Sequence, residues 1–318
     1  MAEIGQDILV AKEFLIKGEL VGIPTETVYG LAGNALNEKA VLSIFETKNR
    51  PAFDPLIIHT DSIAKANNFV ADFPPAAQAL AEQFWPGPLT LLLPKKSNVP
   101  DLVTSGLDTV AVRIPRHPVL LELLRLLDFP LAAPSANPFG YISPTAAAHV
   151  NAQLGDQIPY ILDGGTCEVG IESTIVGFED GEVVVFRLGG LDVREIEEVV
   201  GKVRLTAVSS SNPKAPGMLK SHYSPRKSLR MLTREEMHSV NAREMGYLLF
   251  DRYLENVDRK YQFVLSETGD LREAAHNLFA FLRELDKSDA TAIVAEWVPM
   301  AGLGLAINDR LKRAAVQE

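Results

Sequence analysis

Residues 171–190 read IESTIVGFEDGEVVVFRLGG, two apolar runs, Ser173–Phe178 and Val183–Leu188, with only a few residues between them. Runs that close can pair only as an antiparallel hairpin, because a parallel crossover needs a dozen or more residues. Further strands are expected at Leu20–Pro24, Leu56–Thr60, Leu89–Pro94, Val110–Pro115, Leu131–Ala133 and Tyr160–Leu162, each bounded by Pro, Gly or polar residues. Helical spacing points to Glu38–Lys48, Pro75–Phe84, Pro118–Leu127, Pro144–Leu154 and Val193–Val200. Asn37 is the expected cap of the first of these, and Ser143 followed by Pro144 that of the fourth. The expected fold is α/β, an open mixed sheet with strong antiparallel content.

Residues 205–227, LTAVSSSNPKAPGMLKSHYSPRK, break the periodicity and read as a linker. A linker has no structural need for the pair His222-Tyr223. Beyond it SLRML, GYLLF, QFVLS and AIVAEW alternate with helices near 270–285 and 303–315, a second, smaller α/β domain. The expected division is therefore residues 1–204, a linker over 205–227, and residues 228–318. The stretch Gly302–Arg310 reads as the start of a surface helix.

The 318 residues are 47% hydrophobic and 23% charged, enough apolar material to fold most of the chain. No run approaches the roughly 18 apolar residues of a membrane helix. The start, MAEIGQDILVAKEF, lacks the layout of a signal peptide. One cysteine, Cys167, supports neither an internal disulfide nor a thiolate metal site, and beside a Gly-rich turn it reads as filler. A cytoplasmic location is expected. Net charge is −10, and residues 1–207 hold 15 Lys and Arg against 26 Asp and Glu. That balance argues against a broad grip on nucleic acid, yet leaves room for a small basic pocket.

The phosphate-loop, dinucleotide and serine-hydrolase signatures are absent, and the six histidines show no metal-ligand spacing. What remains are polar residues at strand ends, where α/β proteins bind ligands. Thr25, Glu26 and Thr27 follow a buried strand, and a capped loop would also account for them. Lys48 and Arg50 end a helix, where the dipole alone favours cations. Arg113 and Arg187 each interrupt an apolar strand, so each must be paired or bind an anion. Ser135 and Asn137 lie in a turn suited to phosphate oxygens or to a plain Asn-centred turn. An anionic ligand is the economical reading.

In order, PTETVYGLA, KNRPAFDPLIIH, FWPGPLTLLL, VAVRIPRHP, APSANPFGYISPT, ILDGG, GIESTIVGF, FRLGG, APGMLKSHYSP and GLGLAINDRLKRAA cover nearly the whole chain. Together they resemble the threonylcarbamoyl-AMP synthase family in its long, two-domain form. The resemblance implies a twisted YrdC-like sheet with a positive cavity and a smaller Rossmann-like domain. It implies a nucleotidyltransferase that makes threonylcarbamoyl-adenylate and pyrophosphate from L-threonine, bicarbonate or CO2, and ATP. The product would serve N6-threonylcarbamoylation of adenosine 37 in tRNA through downstream transferase proteins, with no stable nucleic-acid binding and no membrane. Thr27, His59, Arg113, Ala133 and Ser173 match the threonine pocket. Lys48, Arg50, Asp54, Thr109, Ser135, Asn137, Ser143, Arg187, His222 and Tyr223 match the ATP side, with catalytic weight on Lys48 and Arg50. Mg2+ is expected with ATP, and no protein metal site. Two other readings stay open: a non-catalytic RNA- or ribosome-binding module of the same fold, and a relative that forms a carbamoyl-adenylate.

Overall fold

The computed structural model describes residues 1–206, 215–219, 221–237, 245–255 and 257–316, and builds two sheets one after the other along the chain. The larger holds β1 (Glu3–Gly5), β2 (Val21–Ile23), β3 (Gly30–Asn34), β4 (Ile57–His59), β5 (Leu89–Pro94), β6 (Thr109–Arg113), β7 (Leu131–Ala132), β8 (Tyr160–Leu162), β9 (Thr174–Glu179), β10 (Glu182–Arg187) and β11 (Arg204–Leu205). They lie side by side in the order β1-β8-β2-β3-β7-β4-β6-β5-β9-β10-β11. Parallel and antiparallel pairs are interleaved: β4 runs parallel to β6, while β5 runs antiparallel to it. The hairpin read from residues 171–190 is present, with Glu182 opposite Glu179.

Helices α1 (Ile8–Ile16), α2 (Glu38–Lys48), α3 (Ile63–Ala66), α4 (Pro75–Phe84), α5 (Asp101–Thr104), α6 (Pro118–Arg125), α7 (Ala147–Leu154) and α8 (Val193–Val200) accompany this sheet. In α2, Asn37 accepts the backbone N–H groups of Lys39 and Ala40, as expected of a cap, and Ala40, Val41, Ile44, Phe45 and Lys48 turn inward. Asn49 ends the helix at φ 50°, which lets Arg50 leave in a new direction. Among the described residues, Leu31, Ile44, Leu91, Val112 and Val176 belong to one apolar cluster, Leu15, Ile23, Leu120 and Leu124 to a second, and Ile57, Leu92, Ile175 and Phe186 to a third.

One expected cap is corrected. Helix α7 starts at Ala147, after Ala146, not at Pro144. The Ser143 hydroxyl instead donates to Glu172, 2.5 Å away, because a buried carboxylate is the more demanding partner. Strand β3, GLAGN, is not among the strands expected from the sequence. It is a buried strand because the neighbours press close: a Cβ on Gly33 would meet Leu20 at 2.9 Å.

The smaller sheet is all parallel, β12 (Leu229–Leu232), β15 (Ala292–Glu296), β13 (Met245–Leu249) and β14 (Gln262–Val264) in that order. Helices α9 (Arg234–Met237), α10 (Leu271–Lys287) and α11 (Gly304–Ala314) flank it. Helix α11 overturns the expected surface helix start at Gly302–Arg310: Ala306, Ile307, Asn308 and Arg310 are all buried. Its inner face joins a cluster in which Val28, Ile142, Ile171 and Tyr223 pack with Leu278, Phe279, Leu282 and Ile307, so the two sheets share a core. Of the expected linker, residues 207–214 and Lys220 lie outside the described residues.

Candidate active site

Strand register assembles the centre of the site. In the parallel pair β4 and β6, His59 stands opposite Arg113, so both emerge at the same end of the sheet. Residues 24–30 come to that end from β2. There Thr25 Oγ1 accepts the N–H groups of Thr27 and Val28 at 3.0 and 3.2 Å and donates to the Val28 carbonyl at 2.7 Å. That leaves the Thr27 hydroxyl to donate to Thr25 and to accept from Arg113 Nη1 at 2.9 Å. Arg113 also donates Nε to the Gly87 carbonyl and pairs with Glu26 at 2.7 Å. Two of the five guanidinium N–H groups thus donate hydrogen bonds, and the contact with Glu26 is an ion pair without a hydrogen bond.

Burial and the neighbouring Arg113 push the pKa of His59 down to about 3, so the ring is neutral at physiological pH. Its Nδ1 has no hydrogen-bond partner. A neutral imidazole with a spare nitrogen can read a hydroxyl without contributing charge.

Across the cavity the chain supplies cations. Lys48 is buried, and its ammonium donates to the carbonyls of Ser135 and Asn137. Burial, and then the charge of Arg50, hold its pKa well below the ordinary lysine value. Arg50 pairs with Asp54 at 2.9 Å and donates to the carbonyls of Asp54 and Pro55. A bulge in β10 between Val185 and Arg187 breaks the alternation of its side chains, and Arg187 lines the cavity. Arg187 donates to the Ser173 carbonyl and hydroxyl and to the Pro216 carbonyl. Burial lowers its pKa to about 10, still charged at neutral pH. Among the described residues neither Lys48 nor Arg187 has a carboxylate within ion-pair distance. Three arginines, Arg50, Arg113 and Arg187, line the cavity against one carboxylate, Glu172.

The roof comes from residues 215–219 and 221–223. Pro216, Gly217, His222 and Tyr223 line the cavity. Tyr223 sits at φ 66°, a left-handed conformation that costs an aromatic residue about 1–3 kcal/mol and persists only under strong packing. That packing is visible: its ring stacks on Phe279 with centroids 5.5 Å apart, and the guanidinium carbons of Arg310 and Arg313 lie 5.3 and 5.0 Å from it. His222 lies against the same ring at 4.2 Å and is held neutral, chiefly by burial and then by Arg313.

Of the residues singled out in the sequence, Thr27, His59, Arg113, Ala133, Ser173, Arg50, Ser135, Arg187, His222 and Tyr223 all line this one cavity. Lys48, Asp54, Asn137 and Ser143 are buried behind its wall and act on it through others. Thr109 is not brought to it. It begins β6 opposite Pro94, four residues and roughly 13 Å along the strand from Arg113. Glu172 and Thr25 line the cavity and received no role in the sequence reading, although the first flanks Ser173 and the second Glu26. The cavity offers about 50 Å³. A roomier cleft of about 230 Å³ beside Arg116, Glu168, Glu195 and Arg272 has less chemistry, since its arginines pair with its own exposed glutamates.

Two family models meet end to end on the chain: one described as telomere recombination matches residues 13–189, and one described as the threonylcarbamoyl-AMP synthase C-terminal domain matches residues 191–316. The chain is 42% identical to the threonylcarbamoyl-AMP synthase of Pyrococcus abyssi, over 97% of its own length and 94% of the relative. It is 38% identical to the Bacillus subtilis threonylcarbamoyl-AMP synthase, over 97% and 92%. A crystal structure of P. abyssi Sua5 complexed with L-threonine superposes with a TM-score of 0.91 at 41% identity, covering 97% of this chain and 94% of that one.

Proposed function

The chain belongs to the threonylcarbamoyl-AMP synthase family, and from that premise we propose that the cavity under Tyr223 is where L-threonine, bicarbonate or CO2, and ATP are joined into threonylcarbamoyl-AMP. The observation that carries this is the division of the cavity: Arg113, Thr27 and His59 at one end, and the cations Arg50 and Arg187, with Lys48 behind, at the other.

The Arg113 N–H groups not given to Thr27 and Gly87 suit an amino-acid carboxylate, and Thr27 and neutral His59 are placed to read a side-chain hydroxyl. A site built around that hydroxyl rejects an amino acid lacking it, because its polar groups would be left unpaired. The threonine amine, as free base, attacks CO2 to form a carbamate; starting from bicarbonate, water is released. A carbamate oxygen then attacks the α-phosphorus of ATP, and pyrophosphate leaves with the bonding pair. No covalent enzyme intermediate is needed. Acceleration comes from alignment and from charge already buried before substrate arrives.

Lys48 shapes the loop of Ser135 and Asn137 by its two carbonyl contacts, while Arg50 and Arg187 face the triphosphate. The Asn137 amide lies behind the wall and shapes the same loop by donating to the carbonyls of Pro138 and Tyr141. A space of about 50 Å³ falls well short of the roughly 300–1,000 Å³ of small-molecule sites, which supports an opening of the roof at 215–219 and 221–223 to admit ATP. Its return excludes water from the carbamate and the adenylate. Mg2+ comes with the triphosphate: the carboxylates nearest the cavity, Glu26, Asp54 and Glu172, each face an arginine. Among the described residues no group of three or more His, Cys, Asp or Glu could hold a metal ion, and no helix is long and apolar enough to cross a membrane. The adenylate is handed in the cytoplasm to partner proteins that modify adenosine 37 of tRNA. This chain then has no need to bind tRNA stably, in keeping with its acidic charge.

The test is pyrophosphate release from ATP and bicarbonate with L-threonine, L-serine, L-valine or no amino acid. Release is expected with threonine, far less with valine, and none with Lys48→Ala or Arg113→Ala. Folded protein that releases no pyrophosphate with any amino acid would overturn the reading.

A further inference from the structure

Arg310, on α11 of the smaller domain, is fully buried at 0% exposure, a costly position for a guanidinium without partners. Its Nε lies 3.0 Å from Glu172 Oε2, and its guanidinium carbon 5.3 Å from the Tyr223 ring centroid. Both partners line the cavity, and Arg310 does not. Glu172 belongs to the turn before β9 and Tyr223 to the roof. One side chain of the second domain therefore grips two separate parts of the wall from outside. The rest of that domain acts in the same direction: Arg283 of α10 donates to the carbonyls of Ile142 and Ser143, and Phe279 stacks on Tyr223.

Glu172 is out of place in a cavity for a polyanion. Its remaining oxygen accepts from Ser143, a neutral hydroxyl, so the cation at contact distance is Arg310, which also pairs with Asp309 at 3.1 Å. In a wall with little water, an uncompensated carboxylate beside a triphosphate would repel it.

We infer that Arg310 is a positioning residue of the second domain, neutralising Glu172 and seating Tyr223 so that the cavity accepts an anionic nucleotide. This rests on the assignment of ATP to the cavity. Threonine, at the Arg113 end, is affected much less.

The experiment is calorimetric titration of the full chain with a non-hydrolysable ATP analogue and, separately, with L-threonine. Wild-type protein that binds neither would remove the synthase reading itself, so that failure is distinct. Given wild-type binding, Arg310→Met weakens the nucleotide at least tenfold and threonine less than threefold. Adding Glu172→Gln to Arg310→Met restores the nucleotide to within threefold of wild type. Unchanged nucleotide affinity in folded Arg310→Met, equal weakening of both ligands, or a double variant no better than the single one would each overturn the inference. Should Arg310→Met not fold, Glu172→Gln alone decides. It leaves Arg310 paired with Asp309 alone, takes one negative charge out of the cavity wall and tightens the nucleotide at least threefold, whereas unchanged or weaker binding overturns the inference.

Discussion

Arg113 Nη2 lies 2.7 Å from Glu26 Oε1, and both side chains are almost fully buried, at 4% and 2% exposure. The guanidinium offered to substrate is therefore already half of an internal ion pair. Glu26 offsets its charge, while the hydrogen bonds to Thr27 and Gly87 hold its plane. Arg113→Met would leave Glu26 as a buried, uncompensated carboxylate. The expected cost is about 3–5 kcal/mol of stability, read from urea unfolding, in addition to lost threonine dependence. Glu26→Gln combined with Arg113→Met removes both charges and should recover much of that loss without recovering activity. A single variant that loses under about 1 kcal/mol would show that the pair does not hold this corner.

His59 makes stability depend on pH. Its folded pKa of about 3 lies below the ordinary 6.5, so the unfolded chain binds the proton first as pH falls. The contribution is complete above about pH 6.5 and is lost progressively between there and pH 3. One such histidine costs about 1.4 kcal/mol per pH unit inside that window. Between pH 6.5 and 5 the wild type should lose about 1.5–2 kcal/mol more than His59→Asn. Parallel unfolding curves for the two proteins would mean that the ring is not held neutral.

Gly189 has no room for a side chain: an added Cβ would stand 2.3 Å from the Ser173 carbonyl carbon and 2.4 Å from the Glu172 oxygen. Both are backbone atoms, so the turn before β9 must move, and that turn carries cavity residues. Gly189→Ala is expected to cost about 1–3 kcal/mol or more and to abolish threonine-dependent pyrophosphate release. Gly181, at φ 80° with nothing within 4 Å of an added Cβ, is the control. Gly181→Ala should cost about 1–2 kcal/mol in backbone strain and leave turnover intact.

Arg187 ties the roof to the sheet, since it donates to the carbonyls of both Ser173 and Pro216. Arg187→Met is expected to raise the KM for ATP at least tenfold and to speed amide exchange across residues 215–219. Hydrogen-exchange mass spectrometry reads the second effect directly. Unchanged exchange there would mean that other contacts hold the roof.

The elements with strong local patterns were legible beforehand. Helix α2 with its Asn37 cap, α4, α8, strand β5 and the β9–β10 hairpin were all readable from apolar spacing and turn residues. Arg113 and Arg187 also announced themselves, because a guanidinium inside an apolar strand needs an anion or several hydrogen-bond acceptors wherever that strand lies. The site residues as a set came from resemblance, not from spacing.

Other features depend on what lies alongside. The stretch GLAGN is a strand only because Leu20 and Ile44 close over Gly33. Ser143 next to Pro144 looks like a helix cap until Glu172, 29 residues away, takes the hydroxyl. Thr109 and Arg113 share a strand, and only the register against β4 and β5 shows which end meets the cavity. Arg310 looks like one more cation on an amphipathic helix, and its partner Glu172 is 138 residues distant. Local sequence sets what each segment prefers to be, because capping, turns and apolar periodicity act within a few residues. Which buried charges meet is decided when strands and domains pack, since the same arginine is solvated on one face and an obligatory ion-pair partner on the other.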